Sequence, residues 1–283
     1  MKRLIITADD FGLAVPVNEA IIEAHRYGVV TTASLMVSAP AAQDAINRAR
    51  PVPTLKVGLH VVLIEGRPLL PPQDIPDLVD KRGEFLMNPT KAGFNFILRP
   101  GVREQIEAEI RAQFDAFQRT GFTMDHVNAH NHMHLHPRVL GLILKVGREF
   151  GLKAVRLPLE PPLRSWKASR RALIRKIAAG LFLAPWNSWM KIQLRRAGIR
   201  SNDHIFGMFD SGAMDLNLIL SLIPHLAEGT TEIYFHPATR RSEEIDRTMP
   251  GYHHEEEFRA LTSPALLGAI TRSGIEKIAF SDL

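Results

Sequence analysis

The chain has 283 residues, of which 45% are hydrophobic and 23% charged, enough to bury one large core and outside the range of global disorder. It contains no cysteine, which excludes disulfides, thiolate metal ligands and a cysteine nucleophile, and a cytoplasmic setting is expected. The net charge of +5 is unevenly spread: ten of the 35 lysines and arginines lie between Leu163 and Ser201 with no acid among them, leaving 25 basic against 30 acidic residues elsewhere.

Met1, Lys2 and Arg3 precede an apolar run, Leu4 to Ala8, that is too short for a signal peptide and reads as a first strand. Short β-type runs then alternate with helical patterns. Strands are predicted at 3–8, 31–37, 56–62, 124–129, 154–157, 232–235 and 277–280, and helices at 17–27, 41–50, 102–120 and 137–150. Gly28, Gly121 and Gly151 follow helical patterns where a C-terminal cap belongs. Residues 64–100 read as a long irregular loop, and 163–200 as an insertion in an otherwise single domain. Such alternation implies a parallel sheet; about seven strands suggest a closed or nearly closed barrel, with an open doubly wound sheet as the alternative.

In a parallel barrel, functional groups collect at the carboxyl ends of the strands. Asp9 and Asp10 end the first predicted strand, His60 lies near the end of the third, His130 ends the fourth and leads into His132 and His134, and His236 follows the sixth. A carboxylate with neutral imidazoles is the donor set of a catalytic divalent ion, so Asp10, His60 and one histidine of the cluster are the expected ligands. In an extended chain His130, His132 and His134 would share one face, as ligands or as a ligand with substrate contacts. Taken singly, an Asp pair is as readily a solvated turn and a lone histidine a structural one; convergence from several strands favours the site. Asp9 is the candidate general base. His236 is the candidate acid for the leaving group, or the donor that stabilises an oxyanion.

Four segments, Thr-Ala-Asp-Asp-Phe-Gly at 7–12, Val-Gly-Leu-His at 57–60, His-Val-Asn-Ala-His-Asn-His-Met-His at 126–134 and Phe-His-Pro at 235–237, resemble the YdjC-like carbohydrate deacetylases, relatives of the chitooligosaccharide deacetylases. The resemblance spans nearly the whole chain. It is strongest to the hopanoid-biosynthesis-associated branch, through Val-Gly-Leu-His-Val-Val-Leu-Ile-Glu-Gly-Arg-Pro, Val-Arg-Leu-Pro and the closing Phe-Ser-Asp-Leu. It implies an α/β fold, a deformed (β/α) barrel like that of the polysaccharide deacetylases. It further implies removal of an acetyl group from an N-acetylated amino sugar, with one divalent ion held by Asp10, His60 and His130. His132, His134 and Arg156 are then expected at the substrate, which in that branch is an N-acetylglucosaminyl hopanoid lipid. Many members carry Asp-Ser-His where this chain has Asn128-Ala129-His130, a departure that leaves the metal preference open. Two imidazoles and one carboxylate suit Zn²⁺ by softness, with Mg²⁺ or Mn²⁺ as alternatives.

The insertion contains all three tryptophans, Trp166, Trp186 and Trp189. Within it Leu173, Ile174, Ile177 and Leu181 form an apolar stripe beside Arg171, Arg175 and Lys176. Basic residues are attracted to anionic head groups and tryptophan to the membrane interface, so Trp166, Arg170, Arg171, Arg175, Trp186 and Trp189 are expected to touch lipid, peripherally on the inner membrane face. The alternative is a solvated basic helix packed on the barrel. No nucleic-acid-binding motif accompanies the charge, so nucleic acid is not an expected partner. Two other functions compete: a non-catalytic metal- or sugar-binding protein on the same fold, and another metal-dependent hydrolase such as a phosphoesterase or cyclic amidase. Asp9 argues against the first, and the lack of a second carboxylate-rich site against the second.

Overall fold

The computed structural model describes residues 1–99 and 101–283, with all their side chains except those of Ile97 and Leu98. In chain order the first half comprises β1 (Lys2–Phe11), α1 (Val15–Arg26), β2 (Thr32–Leu35), α2 (Ala42–Ala49), β3 (Lys56–Val61), α3 (Pro89–Leu98), α4 (Val102–Arg119) and β4 (Met124–Ala129). The second comprises α5 (Pro137–Glu149), α6 (Pro162–Ser169), α7 (Leu173–Arg196), β5 (His204–Phe206), α8 (Leu216–Leu222), β6 (Gly229–Phe235), α9 (Glu243–Thr248), α10 (His254–Leu261), α11 (Pro264–Arg272) and β7 (Glu276–Lys277). The strands are parallel in the order β4-β3-β2-β1-β6-β5, and β7 pairs with the start of β1.

The expected strand at 154–157 forms no regular ladder. It makes single parallel bridges from Val155 to Val127 of β4 and from Ala154 to Arg200, and Ile205 N–H of β5 donates to Leu159 O at 3.0 Å. These links carry the sheet from β4 round to β5 and make a deformed barrel of seven strand positions. β1 is central and buried on both faces from Leu4 to Phe11, which is why it reads as a continuous apolar run rather than an alternating one.

Two expectations change. The stretch 64–100 contains a helix, α3, started by the Asn88 side chain, which accepts from Lys91 N–H at 2.9 Å. The segment 163–200 is the crossover between the 154–159 segment and β5, built from α6 and α7, and so takes the place of the helix in a βα unit. β5 has no counterpart among the predicted strands: three residues are too few to establish a period.

Candidate metal centre

In a regular strand Asp9 and Asp10 would point to opposite faces. Here the β1–β2 register shifts between Ala8 and Phe11, and Asp10 adopts φ 61°, so both carboxylates reach the end of the barrel. Gly12 follows with φ +100°, where a Cβ would meet Met36 O and Ala42 Cα at 3.1 Å. Among the described residues six non-glycine residues have positive φ, and four of them, Asp10, Glu65, Asn131 and His132, surround this site. Backbone strain of this kind persists only where the surroundings enforce it.

The fourth strand leads directly into a tight 3₁₀ segment, His130–Leu135, with left-handed geometry at Asn131 and His132. This corrects the extended-chain expectation: the three histidines do not share a face. His130 turns toward Asp10. His132 meets the Tyr234 hydroxyl at 3.0 Å, and His134 Nε2 lies 3.2 Å from Arg156 O.

Asp10, His60 and His130 form a compact cluster in which each offers one donor atom. Asp10 Oδ1 lies 3.3 Å from His60 Nε2 and 3.1 Å from His130 Nδ1, and the two nitrogens are 3.3 Å apart. Tetrahedral ligands of Zn²⁺ at about 2.0–2.2 Å stand roughly 3.3–3.5 Å from one another, so the triangle is close to the size an ion requires. All three side chains are buried, and Asp10 Oδ2 has no hydrogen-bond partner. Such an orphaned carboxylate oxygen is costly unless a cation or proton meets it. The donor set and its geometry fit a divalent ion.

Asn128 fixes the chemistry of two neighbours at once. Its Nδ2 donates to Asp9 Oδ1 at 3.1 Å and to Ser34 Oγ at 2.9 Å, so its Oδ1 must be the acceptor for His60 Nδ1 at 2.6 Å. The His60 proton therefore sits on Nδ1, and Nε2 presents its lone pair to the cluster. Glu65 Oε2 stands 3.5 Å from His130 Nε2 and accepts from Asn131 Nδ2 at 2.8 Å.

Behind the cluster lies a buried chain of ion pairs. Arg156 Nη1 donates to Asp9 Oδ2 at 2.6 Å and Nη2 to Asp9 Oδ1 at 3.0 Å, while Nε donates to both oxygens of Glu232 at 3.0 and 3.1 Å. Thr7 Oγ1 also donates to Glu232, at 2.6 Å. Burial alone would raise the Asp9 carboxyl, but the Arg156 guanidinium beside it outweighs burial and holds it well below the usual carboxylate range. Burial likewise opposes ionisation of Asp10, and His130 beside it reverses the balance, keeping that carboxyl low too.

A cavity of about 180 Å³ is lined by Asp9, His60, His130, His132 and His236, together with Met208, Tyr234 and Tyr252. Burial pushes the His236 imidazole down to about 4, against the opposing pull of Asp10 and Asp9. It is thus neutral near pH 7, with one N–H available as a donor. His132 is also pushed down, by burial and then by Arg156, while burial pushes the Tyr234 phenol up, so the two share their hydrogen bond as neutral groups. A larger cavity of about 370 Å³ adjoins Glu65 and is lined by Arg67, Glu243, Glu244 and Arg247; none of the three cluster residues lines it.

Of the expected substrate contacts, only His132 lines the cavity. Arg156 is fully buried and committed to Asp9 and Glu232, and His134 is fully buried against the backbone of Arg156; neither is placed to touch a substrate. Arg156 instead orients the candidate base. Glu232, Tyr234, Tyr252 and Met208 escape the sequence reading. Glu232 carries the signal of an acid within an otherwise apolar parallel strand, which calls for a buried cation.

In the turn between α6 and α7, Arg170 and Arg171 are exposed, and on α7 Arg175 is exposed and Trp186 is 42% exposed. Trp166 is half-buried with the Arg170 guanidinium 5.3 Å from its ring centre, and Trp189 packs on the core rather than facing outward. Lys176 is fully buried, its Nζ donating to Asp210 at 2.5 Å and to Ser165 and Ser169 at 2.8 Å, so it does not belong to the outer basic face. That face is nevertheless apolar: Ile174, Leu181 and Phe182 are 84%, 70% and 73% exposed. No described helix is long and apolar enough to cross a membrane.

A parallel barrel with a buried Asp-His-His cluster at its strand ends, backed by an ion-paired second aspartate, defines a class of candidate metal-centred proteins. The chain belongs to the YdjC-like protein family, whose model matches residues 3–272. It is 31% identical over 278 residues to a carbohydrate deacetylase of Thermoanaerobacter pseudethanolicus, covering 97% of this chain and 96% of that one. It is 30% identical over 282 residues to a carbohydrate deacetylase of Geobacillus stearothermophilus, covering 99% and 98%. Among solved structures, a protein of Enterococcus faecalis provisionally assigned to cellobiose-phosphate cleavage superposes with a TM-score of 0.78 at 28% identity, covering 99% of this chain and 98% of that one. A lactam utilization protein of Thermus thermophilus, at 13% identity and a TM-score of 0.52, covers 98% of this chain and 99% of that one and shares the fold alone.

Proposed function

We propose that this protein is a metal-dependent hydrolase that removes the acetyl group from an N-acetylated amino sugar. The observation that carries the reading is the Asp10–His60–His130 triangle with an ionised Asp9 beside it. The full-length similarity to carbohydrate deacetylases supports the substrate class.

Asp10 Oδ1, His60 Nε2 and His130 Nδ1 would hold one divalent ion, Zn²⁺ by ligand softness or Mg²⁺. Such an ion supplies Lewis acidity, making a water more acidic and a carbonyl more electrophilic. Asp9 accepts the proton of the attacking water as its oxygen bonds to the acetyl carbon. The two Arg156 N–H groups and the Asn128 amide fix that carboxylate so that it reorganises little. The C–N bond breaks as the nitrogen takes a proton, leaving acetate and a free amine. Neutral His236 donates its N–H to the oxygen or nitrogen on which charge develops.

The finer reading is that the sugar is an N-acetylglucosaminyl group on a hopanoid lipid, and that the outer face of α7 rests on an anionic bilayer. What supports it is charge and shape: exposed Ile174, Leu181, Phe182 and Trp186 stand on a helix flanked by Arg170, Arg171 and Arg175, with no acid between 163 and 201. The test strips the protein with a chelator, restores Zn²⁺ or Mg²⁺, and assays acetate release from N-acetylglucosaminyl lipid and from free chitobiose. Metal-dependent acetate from either supports deacetylation, and preference for the lipid supports the finer reading. No acetate from either would remove it.

A further inference from the structure

One face of the neighbouring strands β2, β3 and β4 carries Thr32 and Ser34, Gly58 and His60, and His126 and Asn128, all of them buried. The interior of a parallel barrel is ordinarily filled by branched apolar side chains, so a polar column there calls for a cause. The proposed chemistry uses only its upper members, His60 and Asn128.

The lower members join into one chain of hydrogen bonds with Asp125 at its foot. Asp125 Oδ1 accepts from Ser281 N–H at 2.8 Å, and Oδ2 accepts from the Thr32 hydroxyl at 2.8 Å. Oδ2 also lies 3.0 Å from His126 Nδ1, and His126 Nε2 lies 3.0 Å from Ser34 Oγ, which accepts from Asn128 Nδ2 at 2.9 Å. Gly58 makes room for the imidazole: a Cβ there would stand 2.4 Å from His126 Nδ1 and 2.6 Å from His126 O. The Phe280 ring stacks on the same imidazole, with 4.4 Å between centroids and 26° between planes.

Every bond in this chain has a fixed direction. Burial opposes ionisation of Asp125, but His126 beside it, then Ser281 and Thr32, outweigh burial and bring the carboxyl to about 2, so toward His126 it accepts. One His126 proton therefore sits on Nδ1. The Asn128 amide nitrogen can only donate, so the single Ser34 proton goes to His126 Nε2. A second proton on the His126 ring would leave the Ser34 O–H without an acceptor, since among the described residues it has no other partner. His60, Asn128, Ser34 and His126 thus each donate to the next group, and the chain ends on the Asp125 charge, an arrangement in which each bond polarises the one after it. Reversal at His126 would let Ser34 donate to Asn128, turn that amide over, and move the His60 proton to Nε2, the nitrogen that faces Asp10 and His130.

We infer that Asp125, His126 and Ser34 are positioning residues of the metal centre, holding the Asn128 amide with its oxygen on His60 Nδ1 so that His60 offers Nε2 to the ion. On the metal-dependent reading above, on which this extension rests, Phe280 and Ser281 tie that centre to the closing Phe-Ser-Asp-Leu segment.

The test uses the full chain stripped of metal by a chelator. In the first arm, long-range proton–nitrogen NMR of the histidine rings reads which nitrogen carries each proton, with His60→Gln and His126→Gln assigning the two signals. Both rings are expected to carry their proton on Nδ1 in the parent. Ser34→Ala is expected to bring up an Nε2–H form of His60, and so is Phe280→Leu, which frees the His126 ring without touching a polar atom. In the second arm, Zn²⁺ affinity is read by competition with a chromogenic chelator. Ser34→Ala should weaken it by about three- to tenfold, one step below the roughly 10- to 100-fold of a group bonded directly to a ligand. In an Asn128→Ala background the same substitution should cost nothing further, because its effect passes through that amide, whereas a merely structural residue would cost the same in both backgrounds. A His60 proton unmoved by either substitution, or equal losses of affinity in the two backgrounds, overturns the positioning role. A parent that binds no Zn²⁺ while Ser34→Ala still moves the His60 proton removes the metal reading and keeps the hold of the chain on His60.

Discussion

Around Asp10 the side chains of Asp9, His60 and Asn128 are aimed by buried hydrogen bonds and Asp10 Oδ2 is left open, whereas along the outer face of α7 Ile174, Leu181 and Phe182 stand largely in water. The first region is rigid because each group is held twice: Asn128 bridges His60 and Asp9, and Arg156 bridges Asp9 and Glu232. The second is one helix whose inner side, with Asn187, Met190 and Leu194, packs on the barrel, and whose outer side spends few contacts on the fold. Changes at the rim should therefore be felt by both stability and chemistry. Changes on the outer face of α7 should be felt by neither, only by what docks there.

The sharpest break of this contrast is Asp9→Asn. The amide keeps the shape but cannot accept the proton, so kcat should fall by about 10²- to 10⁴-fold. Metal content, measured by atomic absorption on the purified variant, should stay near that of the parent, because Asp10, His60 and His130 are intact. Turnover at the parental rate would remove Asp9 as the base. Next in size is Arg156→Leu, which leaves Asp9 and Glu232 as uncompensated buried carboxylates. Losing one partner of a buried ion pair costs about 3–5 kcal/mol, which a urea unfolding curve reads directly. A loss below about 1 kcal/mol would mean that the pair is not formed as described.

Much of this rim is legible in the sequence because strand ends have a fixed place in a parallel barrel. Asp9, Asp10, His60, His130 and His236 can be assigned to one mouth from the alternation of strands and helices alone, and they line or adjoin one cavity. What cannot be read is orientation. The bulge at Asp10 and the left-handed turn at Asn131–His132 break the periodicities from which faces are inferred, so the pattern puts the histidine cluster on one face and the fold does not. Arg156 shows the same limit: a lone arginine in an apolar strand gives no sign of whether it faces substrate or a buried acid, and only Glu232 on a distant strand decides. In α7 a stripe is visible but not its direction, so the pattern turns Lys176 and Trp189 outward where the structure turns them in.

Glu160 and Asn128 sharpen the comparison with intermediate effects. The Glu160 carboxyl is pushed up to about 7 in the folded protein from an ordinary value of 4.5, so unfolding releases its proton between those values and stability is lost as pH rises through that window. Buried histidines held low, such as His134 at about 3, contribute the opposite slope below the pKa of the unfolded imidazole. The difference between parent and Glu160→Gln isolates the acid: from pH 4.5 to 7 it should shift in favour of the variant by up to about 3 kcal/mol. A difference flat with pH would mean that Glu160 ionises freely. Asn128→Ala removes the acceptor that fixes His60 and should weaken metal affinity by about 10- to 100-fold, read by competition with a chromogenic chelator.

The smallest effect on the protein itself belongs to the double substitution Leu181→Glu and Phe182→Glu. Both side chains are largely in water already, so the unfolding free energy should move by no more than about 0.5 kcal/mol. Binding to anionic vesicles should respond very differently. Full burial of an apolar side chain of this size contributes about 1.5–3 kcal/mol, and each added glutamate also repels the same lipid surface. Even partial insertion of the pair therefore predicts at least a tenfold loss of vesicle partitioning in a flotation assay, with the parent's own binding weakened by added salt. If parent and variant partition equally, the exposed face of α7 does not meet lipid, and its apolar side chains are left without the bilayer as their explanation. If stability falls instead, the outer face is packed in solution, which would replace lipid with a protein contact as the occupant of that surface.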